Sequence, residues 1–247
     1  HSMDPRVKIV LTIAFMVLVF VADSFVGYGM VGGFVIITAL ISQVPLKMYF
    51  KSLRPMLFLI IFTFVLNLLF IKGEEIAFRL GFVTVYWYGI KFSVFMALRL
   101  IFMVISASVM TFTTTPVLLS AGIEKLMSPL NAVKFPVHEM SMMMTIALRF
   151  IPTLVEETDK IKKAQMARGA NFETGGLKQK AVAMIPLLIP LFISAFRRAD
   201  ELAMAMEARC YHGSNGRTSY RVLKMGIIDY TAIAVIIVFG VALIMLG

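Results

Sequence analysis

The 247-residue sequence has a single cysteine, Cys210, so no internal disulfide can form and nothing argues for an oxidising compartment. Charge is scarce, at 15% of residues, and only 14 of these are acids. The carboxylates are scattered, without the paired acidic motif expected of an enzyme that handles charged lipid substrates. No Gly-x4-Gly-Lys-(Ser/Thr) loop occurs, so the chain is not expected to bind ATP itself. No Ser-His-Asp or Cys-His arrangement falls on a plausible pocket. His138, His212 and Cys210 offer no second ligand pair, which leaves a metal site without support. No catalytic residue, cofactor or metal is therefore expected.

What the sequence has in abundance is apolar surface. Hydrophobic residues make up 60% of the chain and mean hydropathy is +0.89, against about 45–50% apolar residues in a soluble domain. The apolar runs are continuous and lack β-barrel alternation. Spanning helices read this way, because in lipid each must satisfy its backbone groups internally. The chain is thus expected to be an all-α integral membrane protein. Its formal charge of +10 points to cytoplasmic loops and the anionic headgroups of a lipid bilayer, and not to nucleic acid. His1-Ser2-Met3 is expected to be a cloning remnant (residues 1–3). The first apolar run lacks a small-residue cleavage site and reads as an anchor.

Apolar runs cover Ile9 to Ala22 and Phe25 to Ile41, broken by Asp23 and Ser24. Pro55 to Ile71, Lys91 to Thr115 and Ile227 to Leu246 supply further spans. Basic residues orient them. Arg6 and Lys8, then Lys47, Lys51 and Arg54, lie inside, and the segments 22–27 and 72–90 lie outside. The expected organisation is N-terminal transmembrane helices over 4–115, a cytoplasmic-side coupling domain over 116–226, and a C-terminal transmembrane helix over 227–247.

Segment 116–226 holds 15 of the 24 Lys and Arg residues, so it too belongs inside. A short helix over Pro116 to Leu130 opens it. His138 to Arg168 carries apolar residues at 140, 143, 144, 147, 148, 151, 154 and 155, the stripe of one amphipathic helix. Gly169, Gly175 and Gly176 turn the chain. A second long helix runs from about Lys178 to Arg209, with Pro186 and Pro190 in its apolar first half. At 1.5 Å per residue each is roughly 45 Å long. Two long crossing amphipathic helices lying obliquely under the membrane are expected, with the apolar run near Pro186 able to dip into the bilayer.

Both helices end alike. Ala164-Gln165-Met166-Ala167-Arg168-Gly169 and Ala205-Met206-Glu207-Ala208-Arg209-Cys210 share Ala-x-x-Ala-Arg and a small following residue. One such arginine complements the helix dipole, worth about 0.3–1 kcal/mol. Repetition favours more. Alanines keep the tip narrow enough to enter a groove, the small residue lets the chain turn away, and a guanidinium can fork onto a carboxylate. Two matched tips suggest two similar grooves on a dimeric partner.

These Ala-Arg-(Gly/Cys) ends resemble the paired arginine motifs of the transmembrane T component of energy-coupling factor (ECF) transporters. Asp4-Pro5-Arg6-x-Lys8, the Thr113-Thr114-Thr115-Pro116 step and Glu207-Ala208-Arg209-Cys210-Tyr211 are also similar to that family. The similarity covers essentially the whole chain. It departs at Cys210, where the family commonly has glycine or serine. The resemblance implies a non-catalytic subunit joining two cytoplasmic ABC-type ATPases to a membrane substrate-binding S component, for uptake of vitamins or other micronutrients. It implies that Ala167, Arg168, Gly169 and Ala208, Arg209, Cys210 dock on the ATPases, which bind the ATP and Mg. It places the protein in the cell membrane, N-terminus and coupling domain inside.

Other features have two readings. Met140, Met143 and Met144, with Met184, Met204 and Met206, are either apolar filler or an adaptable face that accepts the S component. Arg99 within the fourth span is either functional or paired inside the bundle, and Asn67 is similarly open. Gly27, Gly29, Gly32 and Gly33 permit close helix packing. The alternatives for the whole chain are an integral membrane enzyme acting on lipid-like substrates, and a T component dedicated to cobalt or nickel uptake.

Overall fold

The computed structural model describes residues 3–73, 75–80, 83–129, 135–170, 172, 176–211 and 225–246. The chain divides into two compact units, His1–Lys125 with Val222–Gly247, and Leu126–Arg221. His212, Gly175 and residues 1–2 lie outside the described residues, so the readings that involve them carry no structural account.

In the first unit, α1 (Pro5–Val21) starts where Asp4 caps it. The Asp4 carboxylate accepts from the Arg6 backbone N–H at 2.9 Å, and Pro5 sits where a helix has no use for its missing N–H. Asp23 and Ser24 break the apolar run. Ser24 Oγ then accepts from Gly27 N at 3.0 Å and caps α2 (Phe25–Ile41).

The third span is longer than its sequence suggested. Lys47, Lys51 and Arg54 do not form a loop: α3 (Leu46–Leu53) passes through a 3-10 turn at Arg54–Met56 into α4 (Leu57–Phe70). Pro55 does not separate them, because it occupies the start of the 3-10 turn. An addition to the all-helical pattern follows. An antiparallel hairpin, β1 (Ile76–Leu80) and β2 (Val83–Tyr86), connects α4 to α5 (Trp87–Thr113). Its Ile, Phe, Val, Thr and Tyr residues suit a strand better than a helix. The unit is completed by α6 (Pro116–Met127) and α9 (Ile227–Leu246); the unit boundary after Lys125 falls in the last turn of α6.

The core joins α1, α2, α5 and α9 through Phe15, Val19, Tyr28, Val31, Phe95 and Leu243. Phe34 stacks between Phe15, 5.1 Å away, and Phe239, 4.7 Å away. Of the four glycines read as packing residues, Gly32 serves: a Cβ there would come within 3.3 Å of the Phe102 ring. Gly29 and Gly33 meet nothing within 4 Å. Gly240, not anticipated, brings α9 against Leu18 of α1, where a Cβ would stand 3.1 Å from Leu18 Cδ2.

Among the described residues, four helices are long and apolar enough to cross a membrane: Leu46–Phe70, Trp87–Thr113, Lys178–Ala208 and Ile227–Leu246. Large side chains such as Phe58 (78% exposed) and Phe70 (74%) point out of the bundle, as lipid-facing residues do. The protein is an all-α, multi-pass membrane protein with one small hairpin.

The second unit is dominated by α7 (Val137–Ala167) and α8 (Leu177–Ala208). Arg198 pairs with Glu157 at 2.9 Å. Gln165 Nε2 donates to the Pro186 carbonyl at 3.4 Å. That carbonyl is free because Pro190, four residues on, has no N–H to offer it. The two contacts run in opposite directions along the helices, so the pair is antiparallel.

Candidate functional site

Arg168 and Arg209 are each the residue that ends a long helix, of 31 and 32 residues. The two ends share one hydrogen-bond geometry. After α7, Gly169 N bonds to Met166 O at 3.0 Å and Ala170 N to Gln165 O at 3.0 Å. After α8, Cys210 N bonds to Glu207 O at 2.9 Å and Tyr211 N to Met206 O at 3.1 Å. Each is a Schellman turn, which needs a left-handed residue just past the helix. Gly169 supplies it at φ +87° and Cys210 at φ +57°. The turn explains why a small residue follows both arginines: it reverses the chain and leaves the arginine at the extreme tip.

Arg168 and Arg209 are exposed, as are Ala167, Gly169, Ala208 and Cys210. Neither arginine side chain has an ion pair among the described residues. Because α7 and α8 run antiparallel, the tips lie at opposite ends of the pair. Roughly 35 Å of α8 separates Pro186, which faces Gln165 near the first tip, from Arg209. The arrangement offers two similar cationic tips far enough apart to meet two bodies.

Met140, Met143 and Met144 on α7 and Met184 and Met204 on α8 are exposed, and Met206 is half-buried. Among the described residues no three His, Cys, Asp or Glu side chains converge on a possible metal position.

Arg99 has a structural task. Its Nη2 donates to the carbonyls of Phe20 at 3.4 Å and Ala22 at 3.1 Å, and to Asp23 Oδ1 at 3.4 Å. These are carbonyls that the end of α1 leaves without helical partners. Its guanidinium also lies 5.1 Å from the Phe20 ring centroid. Asn67 is half-buried and contributes its backbone carbonyl to the end of α4, bonding Ile71 N at 3.1 Å.

The sequence reading missed a polar knot. Asp229, in a span read as nearly free of charge, is 2% exposed. It accepts from Asp4 N at 2.9 Å and Gly226 N at 2.8 Å. The Asp4 carboxylate accepts from Arg6 Nη2 at 2.8 Å, and these hydrogen bonds hold it below the usual carboxylate pKa. Lys8 Nζ donates to Thr113 O at 3.1 Å and Thr114 Oγ1 at 3.3 Å. The Asp4-Pro5-Arg6-x-Lys8 and Thr-Thr-Thr-Pro motifs thus meet. An acid inside an apolar span was the signal to follow.

A helical bundle with several helices able to cross a membrane, into which an antiparallel pair of long helices is inserted, defines a multi-pass membrane protein. The family profile described as "Cobalt transport protein" (CbiQ) matches residues 1–220. A protein of Thermosediminibacter oceani named "Energy-coupling factor transporter transmembrane protein EcfT" is 52% identical over 94% of this chain and 87% of its own. Proteins of the same name from Bacillus subtilis and Lactococcus lactis are 44% and 41% identical, over 98% and 99% of this chain and 92% of each relative. The chain belongs to the family of energy-coupling factor transporter transmembrane proteins, the T components of ECF transporters.

Proposed function

We propose that the second unit is the force-receiving part of this T component, lying on the cytoplasmic side, with Arg168 and Arg209 each seated on one of two ABC-type ATPase subunits. ATP and Mg belong to those partners, and this chain is a non-catalytic subunit. The observation that carries the reading is the matched pair of exposed arginines, each on a left-handed turn with the same hydrogen-bond pattern, at opposite ends of one helix pair. A rigid pair gripped at both ends passes a closing motion of its partners onward as a rigid-body shift. The exposed methionines of α7 and α8 then form the adaptable face for a membrane S component that carries a micronutrient. Relatives named as transporter components favour neither a lipid-directed enzyme nor a system dedicated to cobalt or nickel.

The test is charge reversal. Arg168→Glu with Arg209→Glu should abolish co-purification of the ATPase subunits, and each single change should weaken it less. ATPases that remain bound to a folded double variant would overturn the docking assignment.

A further inference from the structure

A cavity of about 730 Å³ opens where the starts of α2 and α5 meet the chain between α4 and β1, wholly within the first unit. Two close contacts build its wall. A Cβ on Gly73 would stand 2.9 Å from Tyr88 Cβ, so a glycine is needed for the chain leaving α4 to lie on α5. The Trp87 N–H donates to the Glu75 carbonyl at 3.1 Å and holds Glu75 beside the first residue of α5. On α2, Phe25 meets Phe95 of α5 edge to face, with ring centroids 4.8 Å apart. Lys91 Nζ lies 5.1 Å from the Phe25 centroid and 5.6 Å from that of Phe95, so the aromatic rings hold its ammonium at the cavity. Glu75 and Lys91 both line the cavity and both are exposed. Among the described residues neither side chain has a hydrogen bond or an ion pair. The 27 residues of α5 span roughly 40 Å against about 30 Å of hydrocarbon, so a helix end reaches the headgroup region. Trp87 and Tyr88 mark this end as the one that does, because such amphipathic rings settle at that level.

From this geometry we infer that the cavity seats a phospholipid whose head carries both a phosphate and a primary ammonium, as phosphatidylethanolamine does. The Lys91 ammonium donates to the phosphate oxygens. The Glu75 carboxylate accepts from the lipid's ammonium, beside the Trp87 ring. Val94, three residues deeper into the span than Lys91, lines the same cavity and offers the acyl chain an apolar wall. The two charges discriminate among heads. A net-anionic head such as that of phosphatidylglycerol meets Lys91 but is repelled by Glu75. A phosphatidylcholine head keeps its attraction to the aromatic rings but has no N–H to donate to Glu75. A water-soluble phosphate ester forgoes the hydrocarbon contact along Val94 and the exposed Phe25 ring. The site belongs to the first unit alone and does not depend on the docking of ATPases.

Trp87 is the single tryptophan of the chain and lines the cavity, so its fluorescence reports the occupant directly. The full chain is reconstituted in phosphatidylcholine vesicles containing rising fractions of phospholipids brominated near the head end of their acyl chains, which quench on contact. In wild type, brominated phosphatidylethanolamine should bind at least threefold more strongly than brominated phosphatidylcholine, and at least twofold more strongly than brominated phosphatidylglycerol. Lys91→Met should erase the preference over phosphatidylcholine, and Lys91→Arg should keep it. Glu75→Gln should bring phosphatidylethanolamine and phosphatidylglycerol to parity. If Lys91→Met does not accumulate, Lys91→Gln gives the same reading. Glycerophosphoethanolamine, the same head without chains, should not relieve the quenching at millimolar concentration. Equal quenching by the three lipids in wild type, or a preference that survives both Lys91→Met and Glu75→Gln, overturns the site. A stronger response to phosphatidylglycerol that Glu75→Gln leaves unchanged overturns it in favour of an anionic lipid. Relief by glycerophosphoethanolamine overturns it in favour of a soluble phosphate ester.

Discussion

Cys210 shows how one position joins local strain to a motif. It lies at φ +57°, where its counterpart after the first tip is a glycine at φ +87°. A residue with a Cβ is disfavoured in the left-handed region, at about 1 kcal/mol or somewhat more. Cys210→Gly should therefore stabilise the end of α8 by about 1 kcal/mol, read as a higher thermal midpoint in detergent, while Cys210→Val should lower it. Cys210 keeps the same hydrogen-bond pattern as Gly169 at this cost, so the second motif departs from glycine without losing its form. Arg99 makes the complementary case, a charged side chain in a span used to finish a neighbouring helix. Hydrogen bonds to charged groups are worth roughly 1.5–3 kcal/mol, and buried acceptors left without donors are costly. Arg99→Met should destabilise the folded protein by about 1–3 kcal/mol in denaturant titrations. Assembly with the ATPases should persist in the fraction that remains folded.

At the scale of elements, helix ends carry most of the specificity. Asp4 starts α1 and is drawn into a hydrogen-bonded pair with Arg6, which lowers its pKa. The sign follows from linkage. A carboxyl with a depressed folded pKa contributes its full stability above the unfolded value, near about 3.9, and loses it as pH falls through the folded value. Wild type should therefore lose stability on acidification below about pH 4. Asp4→Asn should be less stable at neutral pH and should show a shallower loss, measured as melting midpoints across that range. The α7–α8 pair illustrates a different compensation. Pro190 removes a donor from its own helix, and Gln165 of the other helix supplies one to the carbonyl left behind. A break in one helix thereby becomes a contact between two.

For the whole molecule, the decisive question is on which side of the membrane the second unit lies. The basic residues of 116–226 argue for the inside. Cys210 reports on it directly, because it is exposed and is the single cysteine in the chain. A membrane-impermeant maleimide should fail to label Cys210 in intact cells and should label it in inside-out vesicles. Bound ATPases should slow that labelling, since Cys210 sits beside Arg209. Labelling of intact cells would place the tips outside and end the coupling interpretation.

The sequence by itself determined the membrane class, the last span to the residue, the two long helices to within a residue or two, and the twin tips. Each is written in local chemistry: apolar run length, helical periodicity, and a small residue after Ala-Arg. It could not show that Arg54 and Pro55 continue a helix, that Ile76–Leu80 and Val83–Tyr86 pair as antiparallel strands, or that Arg99 serves the end of α1. Above all it could not show that Asp4 and Asp229, 225 positions apart, share one knot. Those outcomes depend on which helix ends come together, since a buried donor or acceptor must find its partner wherever the fold places it. Only the tertiary structure decides that.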